Sequence, residues 1–398
     1  MLESIYIGMS GLTAYSKGLQ TISNNVANMN TPGFKATTPR FADLFYGQEF
    51  APGQAGTTST TYFGTGVEYG YASIDFSQGE IRQSDGDLDL AIQGNGFLTL
   101  LDGQKAQYAR TGQFVVGDDG YLVDKVTGLR LAMLNSAGKP EAISLTDKTI
   151  NPPVATTLVQ FSDNLSSSAT DFSIPNVVVY DGNGDQHTLT INFKPDNKIF
   201  PGRWAVTVTD ENGSVVQQSA LQFLGGIPEP GMDRIDVTMT PTGGAPFTFT
   251  LDFSSGVTGF SSGSVSTLKV ASVDGYGAGI LSSLYVDADG VLNVGYSNGQ
   301  KLELGSVALA SFTDTQLLTQ QGNGLFDASR ASAPQYTTSR GPGVGQLISG
   351  AVEASNVDLS TEFGRLILIQ RGFQASSQVI STANEMIMQL FQMRGQQG

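Results

Sequence analysis

The sequence predicts a mainly β protein, with nested β domains in series with a helical coiled-coil stem formed by the N- and C-terminal segments. Three observations predict it. Apolar residues recur at helical spacing near both ends of the chain and not between them. The intervening body is built of short alternating segments separated by Gly and Asp turns. Charged residues make up only 14% of the 398 residues while Gly reaches 49, a composition of short strands and many turns.

From Leu2 to Val26 the apolar positions are Leu2, Ile5, Met9, Leu12, Leu19, Ile22 and Val26. Ile5, Leu12, Leu19 and Val26 fall seven apart, with Leu2, Met9, Ser16 and Ser23 on the companion seam. A helix of this extent is about 37 Å long. It should end before Asn30-Thr31-Pro32-Gly33, where Pro forbids continuation and Gly supplies a positive φ. The body follows, with runs at Val67 to Phe76 and Gly96 to Leu101 and turns at Asp118-Asp119-Gly120 and Asp287-Ala288-Asp289-Gly290. At Asn151-Pro152-Pro153 the chain changes character. From there to about residue 272 it is thick with alternating Thr, Val and Phe, and Gly275-Tyr276-Gly277-Ala278-Gly279 leads back. Pro152, Pro153, Gly275, Gly277 and Gly279 are therefore read as the hinge of a β domain inserted into a loop of another.

The C-terminal helix starts at the capping-box-like Ser355-Asn356-Val357-Asp358. Leu359, Leu366, Phe373, Ile380 and Ile387 recur by seven, with Ile369, Ser376, Ala383 and Leu390 on the companion seam. Ile367, Leu368, Val379, Met386, Met388 and Phe391 lie off that seam, more apolar surface than one partner helix can cover. The residues expected to pack between subunits are Ile5, Leu12, Leu19, Val26, Leu366, Phe373, Ile380, Ile387 and Leu390. The predicted layout is terminal helices at 1–30 and 356–398, a connector at 31–70 and 331–355, an inner β domain at 71–147 and 273–330, and an inserted outer β domain at 148–272.

Composition excludes several functions. The 36 acidic and 21 basic residues leave a net charge of −15, which disfavours nucleic acid and anionic membrane as partners. No apolar run is long enough to span a membrane. Cys is absent and His187 is the single histidine, so thiolate and multi-histidine metal sites are excluded. The first residues lack the basic start, apolar block and cleavage site of an ordinary signal peptide, which by itself predicts a cytoplasmic protein.

The chemical motifs weaken on inspection. Gly295-Tyr296-Ser297-Asn298-Gly299 fits a nucleophile elbow, but His187 precedes Ser297 instead of following it, and the context is a hairpin. Asp181-Gly182-Asn183-Gly184-Asp185 opens like a calcium loop, but the sixth position is Gln186 and the twelfth Asn192. A hairpin turn is expected there, with His187 on a surface or an edge strand. Gly341-Pro342-Gly343-Val344-Gly345 lacks the context of a phosphate cradle. Glu362 and Glu385 are too far apart on one helix to act as a catalytic pair. No catalytic, metal or cofactor site is expected.

Longer motifs point elsewhere. Met9-Ser10-Gly11-Leu12, Ile22-Ser23-Asn24-Asn25-Val26-Ala27-Asn28 and Asn30-Thr31-Pro32-Gly33-Phe34-Lys35 resemble the N-terminal signature of bacterial flagellar rod and hook proteins. The run from Asp87 to Phe97 and the run Tyr108-Ala109-Arg110-Thr111-Gly112-Gln113-Phe114 resemble their internal β signature. Glu353-Ala354-Ser355-Asn356-Val357-Asp358-Leu359 through Gln370-Arg371-Gly372-Phe373-Gln374-Ala375 resembles their closing helix. These motifs cover both ends and the inner β domain, and the inserted domain carries little of them. Length, Asp358-Leu359 and Gln374-Ala375 favour the hook branch of that family over the rod branch. Gly364 departs from the usual larger side chain and costs the helix up to about 1 kcal/mol. Val352 stands where the family usually has Leu.

The resemblance implies a non-enzymatic, self-assembling subunit of a flexible extracellular tube that carries motor torque from the rod to the filament. It implies export, unfolded, through the flagellar type III apparatus, which overturns the cytoplasmic expectation. It also implies rod protein, hook cap and hook–filament junction protein as partners. The alternatives are a stiff distal rod subunit, a secreted serine hydrolase using Ser297, and a β-rich adhesin.

Overall fold

The computed structural model describes residues 2–44, 46–51, 59–196, 200–241 and 244–395. Positions 45 and 52–58 of the expected connector, and 396–398 of the expected terminal helix, lie outside the described residues. The chain divides into two compact units. One comprises Met1–Thr146, Leu284–Asn293 and Glu303–Gly398; the other comprises Asp147–Ser283 and Val294–Leu302.

The first unit opens with helix α1, Leu2–Ala27. It stops where the sequence breaks it: Asn28 N–H still reaches the Asn24 carbonyl at 3.1 Å, and Gly33 turns the chain with φ 70°. A long antiparallel ribbon follows, with Thr37 opposite Ile74, Phe41 opposite Tyr69, Tyr46 opposite Gly64 and Ala51 opposite Ser59. The ribbon lies along α1. Tyr69 and Thr21 hydroxyls are 2.6 Å apart, and the Tyr15 and Phe41 rings are 5.3 Å apart.

The body of this unit is a twelve-stranded sheet with Phe97–Asp102 near its middle. That strand pairs antiparallel with Lys105–Ala109, Arg130–Leu134 and Leu309–Ser311. Phe97, Tyr108, Leu318 and Phe326 form an aromatic-rich core, with Phe76 and Phe312 packed edge-on against Phe97. Burial and the Tyr336 hydroxyl, 3.1 Å away, push the Tyr108 phenol well above its ordinary range.

Helix α2, Leu359–Gly395, begins where expected. The cap is Asp358, however, whose Oδ1 accepts the Thr361 N–H at 2.6 Å, and this bond holds its carboxyl below the ordinary range. Ser355 serves the turn before it, accepting the Val357 N–H at 3.3 Å. An Asx or hydroxyl cap must sit one residue before helical φ/ψ begins, so the residue nearest the first turn takes the role.

α1 and α2 pack antiparallel. A Cβ on Gly8 would meet Ile380 Cγ1 at 2.6 Å, one on Gly11 Ser376 Oγ at 2.5 Å, and one on Gly18 Ile369 Cδ1 at 3.0 Å. On α2 a Cβ on Gly372 would meet the Tyr15 ring at 2.6 Å. The buried stripe of α1 is thus Gly8, Gly11, Ala14, Gly18, Ile22 and Asn25, and small residues let the axes approach.

In the second unit strand Ile150–Asn151 pairs with Gly279–Val286 in a four-stranded sheet, while the core of the unit is a sandwich of two five-stranded sheets. One is an antiparallel meander through Phe172–Tyr180, Gln186–Pro195, Arg203–Thr209, Val215–Leu224 and Ile227–Pro228. In the other, Leu158–Asn164 runs parallel to Phe247–Asp252 and Val257–Thr258 and antiparallel to Lys269–Val273. Burial alternates strictly along Arg203–Thr209 and Arg234–Met239, as strands with one face on a core require. Phe161 and Phe253 stack at 4.4 Å in that core beside Trp204, Phe193 and Phe249.

Candidate functional site

The chemistry of the first unit concentrates where the two helices join its body. Lys35 follows α1, Glu353 ends the strand Ala351–Glu353 just before α2, and Arg110 sits between two strands of the large sheet. Lys35 and Glu353 are fully buried and Arg110 is 3% exposed. Lys35 Nζ donates to Glu353 Oε1 at 2.6 Å and to the Ser77 carbonyl at 2.7 Å. Arg110 Nε donates to Glu353 Oε2 at 3.0 Å, and the Gly79 N–H donates to Oε1 at 2.9 Å. The rest of the guanidinium is taken up by the carbonyls of Gly96, of Gly94 at 2.6 Å and of Ile92 at 3.2 Å. Gly94 and Gly96 have φ of 103° and 104°, a conformation that leaves their carbonyls free to face Arg110. Burial pushes the Lys35 ammonium below the usual lysine range, against the opposing pull of Glu353.

Amides complete this clasp. The Asn356 carboxamide accepts the Ala36 N–H at 2.8 Å and donates to the Asp75 carbonyl at 2.8 Å and the Ser77 carbonyl at 3.0 Å. Asn25, buried in the last turns of α1, bonds both backbone groups of Thr37, at 2.8 and 3.0 Å. The Gly33 N–H donates to the Glu353 carbonyl at 2.8 Å. The roots of both helices are therefore tied to each other and to the sheet. Every group here is a fixed hydrogen-bonding partner; the arrangement holds chain segments in register. Sequence reading missed it as a cluster. The available signal was three charges, one in each of the three flagellar-type motifs, in a chain with few charges.

The second feature is the surface of α2. Its packed stripe runs through Glu362, Ile369, Gly372, Ser376 and Ala383, close to the companion seam of the heptad pattern. Of the residues expected between subunits, Ile5, Leu12, Leu19, Val26, Leu366, Ile380 and Ile387 are half-buried, and Ile380 lies against Gly8 of its own chain. Phe373 and Leu390 stay exposed, as do Val379, Met386 and Met393, and Leu368 and Phe391 are each 70% exposed. No helix among the described residues is long and apolar enough to cross a membrane.

The other singled-out residues have plain structural settings. Ser297 opens the turn between Val291–Tyr296 and Lys301–Ser306, and its Oγ accepts the Ile280 N–H at 3.0 Å. Asp181 caps the turn from Phe172–Tyr180 to Gln186–Pro195, accepting the N–H groups of Asn183 and Asp185 at 2.9 Å each. His187 corrects its expected surface or edge placement. It lies on the second strand of a five-stranded sheet, its side chain 13% exposed, with Nε2 3.4 Å from Asp181 Oδ2. Alternation put it inward, beside the Phe247 ring. The Gly341–Gly345 run is a turn in which Arg340 N–H reaches the Gly345 carbonyl at 3.0 Å. Glu362 is buried in α2 and paired with Arg365 at 2.9 Å.

The expected hinge residues all fall inside the second unit. Val154 and Tyr276 form an antiparallel bridge there, each N–H reaching the other's carbonyl at 2.9 and 3.0 Å. A Cβ on Gly279 would meet the Asn298 side chain at 2.6 Å, one on Gly277 the Gly184 carbonyl at 3.2 Å, and one on Gly275 would overlap Thr156. Pro153 packs on Gly184, and Pro152 precedes it in the same crossing.

Three segments of the chain match known protein families. Residues 5–35 match the family described as flagella basal body rod protein, and residues 348–393 match the flagellar basal body rod FlgEFG protein C-terminal family. Residues 145–276 match the flagellar basal body protein FlaE D2 domain. The flagellar hook protein FlgE of Salmonella typhimurium is 31% identical over 97% of this chain and 98% of its own. That of Borreliella burgdorferi is 29% identical over 99% of this chain and 100% of its own. The crystal structure of Helicobacter pylori flagellar hook protein FlgE2 aligns with a TM-score of 0.48 at 12% identity, over 69% of this chain and 99% of that one. The motifs at both chain ends, the domain between them and an identity sustained over nearly the whole length all converge, and the chain belongs to the flagellar hook protein FlgE family.

Proposed function

We propose that this chain is a structural subunit that polymerises with copies of itself into the hook tube, the uncovered apolar faces of α2 packing on the helices of neighbouring copies. The hook belongs to the extracellular part of the flagellum, and the hook family is a structural one. The observation that carries the packing is the pattern of burial on α2. One stripe is closed against α1 within the chain, while Leu368, Val379, Met386, Leu390 and Phe391 remain open. Such a length of apolar helix left in water is an association surface. In this reading the terminal helices form the inner tube, with the 31–70 and 331–355 connector and the β units outside it. Pro152, Pro153, Gly275, Gly277 and Gly279 mark the crossing to the outer domain. Rod protein, hook cap, junction protein and the export apparatus are its partners at the ends of the tube and in its delivery.

The test is Leu368→Asp in the full chain. A charge buried there without a partner costs several kcal/mol per contact. The variant should keep the circular dichroism of the parent monomer and form no sedimenting tubes by electron microscopy. Normal tubes would refute the packing role.

A further inference from the structure

The second unit carries one apolar feature that its own core does not use. Val215–Leu224 and Ile227–Pro228 are joined by a two-residue turn, Gly225-Gly226, with φ of 61° and 82°. Leu224 and Ile227 stand directly opposite each other across this tight hairpin, so both side chains project from the same face. They are 71% and 62% exposed. Gly226 is bare because the Phe260 ring lies over it, occupying the place a Cβ would take. Phe260 is itself more than half exposed. On the other side Leu224 shares a groove of about 500 Å³ with Phe200, Pro201, Arg203 and Met232, and Phe200 is also more than half exposed. Four large, more than half exposed apolar side chains thus gather around one hairpin tip, in a chain of net charge −15.

We propose that this tip, Leu224 and Ile227 flanked by Phe260 and Phe200, docks on a second copy of this chain. The inference rests on the polymer reading above and adds the surface through which the second unit takes part. Area selects the occupant. Large apolar side chains offer roughly 150–250 Å² each, so four of them more than half uncovered give about 400–500 Å². Covering that patch buries about 1,000 Å² over both partners, the lower limit for a specific interface. Such a contact is too small to hold two copies together in dilute solution. It becomes effective where a polymer already holds copies side by side at high effective concentration. Charge argues against an anionic membrane as occupant. The cation lining the groove, Arg203, is engaged by Asp196 at 3.6 Å, and Glu229 also lines it.

The chain has no cysteine, so a single introduced thiol is a clean probe. Ile227→Cys and, separately, Leu224→Cys are made in the full chain and exposed to a polyethylene-glycol maleimide, as dilute monomer and as sedimented polymer. The expected result is rapid labelling of the monomer and at least tenfold slower labelling in the polymer. A variant that keeps the monomer's β signal but loses assembly, while the parent assembles, also supports the contact. Equal labelling of monomer and polymer at both positions overturns the docking face and leaves the polymer reading standing. Failure of the parent chain to polymerise at all overturns both.

Discussion

Replacing Glu353 by Ala tests the clasp most directly. One carboxylate serves two buried cations, Lys35 at 2.6 Å and Arg110 at 3.0 Å, and also the Gly79 N–H at 2.9 Å. Truncating one partner of a buried ion pair costs about 3–5 kcal/mol, because the charge left behind is neither solvated nor paired. Lys35 can shed its proton, which burial already favours. Arg110 cannot, but it keeps its carbonyl acceptors at Gly94, Gly96 and Ile92. The expected loss is therefore about 4 kcal/mol, in the middle of that range. With a urea m-value of about 3 kcal/mol/M, the midpoint of the first unit falls by roughly 1.3 M. Lys35→Met leaves a one-to-one Glu353–Arg110 pair and removes the cation whose burial is least favourable, so it should cost only about 1 kcal/mol. The assay is urea unfolding of the monomer, followed by hydrogen exchange of peptides spanning residues 88–101. Trp204, the single tryptophan, is buried in the core of the second unit, and its fluorescence midpoint should stay in place. A Lys35→Met loss equal to that of Glu353→Ala would refute the charge argument. So would a shift confined to Trp204.

Two further sets of variants follow from named contacts. Gly364 lies in α2, and a Cβ added there would have nothing within 4 Å, so Gly364→Ala should stabilise the helix by about 0.5–1 kcal/mol. Gly11→Ala, the same chemical change, should destabilise by about 1–3 kcal/mol because its Cβ would sit 2.5 Å from Ser376 Oγ; thermal melts of the helical signal decide both signs. Asp327, bonded first to Lys105 at 2.5 Å and then to Ser329, titrates at about 2 against an ordinary 3.8. A lowered carboxylate pKa adds stability above the unfolded value and loses it as pH falls through the folded one. Asp327→Asn should therefore flatten the acid limb of first-unit stability between those two values, and an unchanged limb in a pH series of melts would contradict it.

The sequence revealed the periods better than the partners. Both helices were legible because Leu, Ile and Val repeat every seventh residue, and Asn30-Thr31-Pro32-Gly33 marks the stop of α1. The paired hairpin at Ser297 and the turn at Asp181 were legible from local turn chemistry. The face of contact was not. Counting large residues marked Ile5, Leu12, Leu19 and Val26 for packing between subunits and left the glycines unmarked, and α1 meets α2 of its own chain through Gly8, Gly11, Ala14 and Gly18. Apolar periodicity weights side chains by size, while close helix contact selects for small ones. The ribbon from Thr37 to Ile74 was legible on one side only: Val67 to Phe76 read as an alternating run, but the strands it pairs with, Thr37–Thr38 and Phe41–Asp43, are two and three residues long, too short to show a period.

The clasp was invisible because it is assembled from residues far apart in sequence, and charge alone does not announce burial. Its placement nevertheless explains why the glycine stripe matters. With glycines at the crossing, α1 and α2 approach closely and spend little of their large apolar side chains on each other. Leu368, Val379, Met386, Leu390 and Phe391 are left exposed on the single chain. Glycines facing Ile380, Ile369 and Tyr15 set the crossing, and much of the apolar surface of α2 takes no part in it. Here both roots are anchored at one buried point, where Lys35, Arg110 and Glu353 meet and Asn25 and Asn356 bind the flanking backbone. The stem can therefore keep its direction relative to the large sheet while most of the apolar surface of α2 stays exposed, open to the packing between copies proposed above.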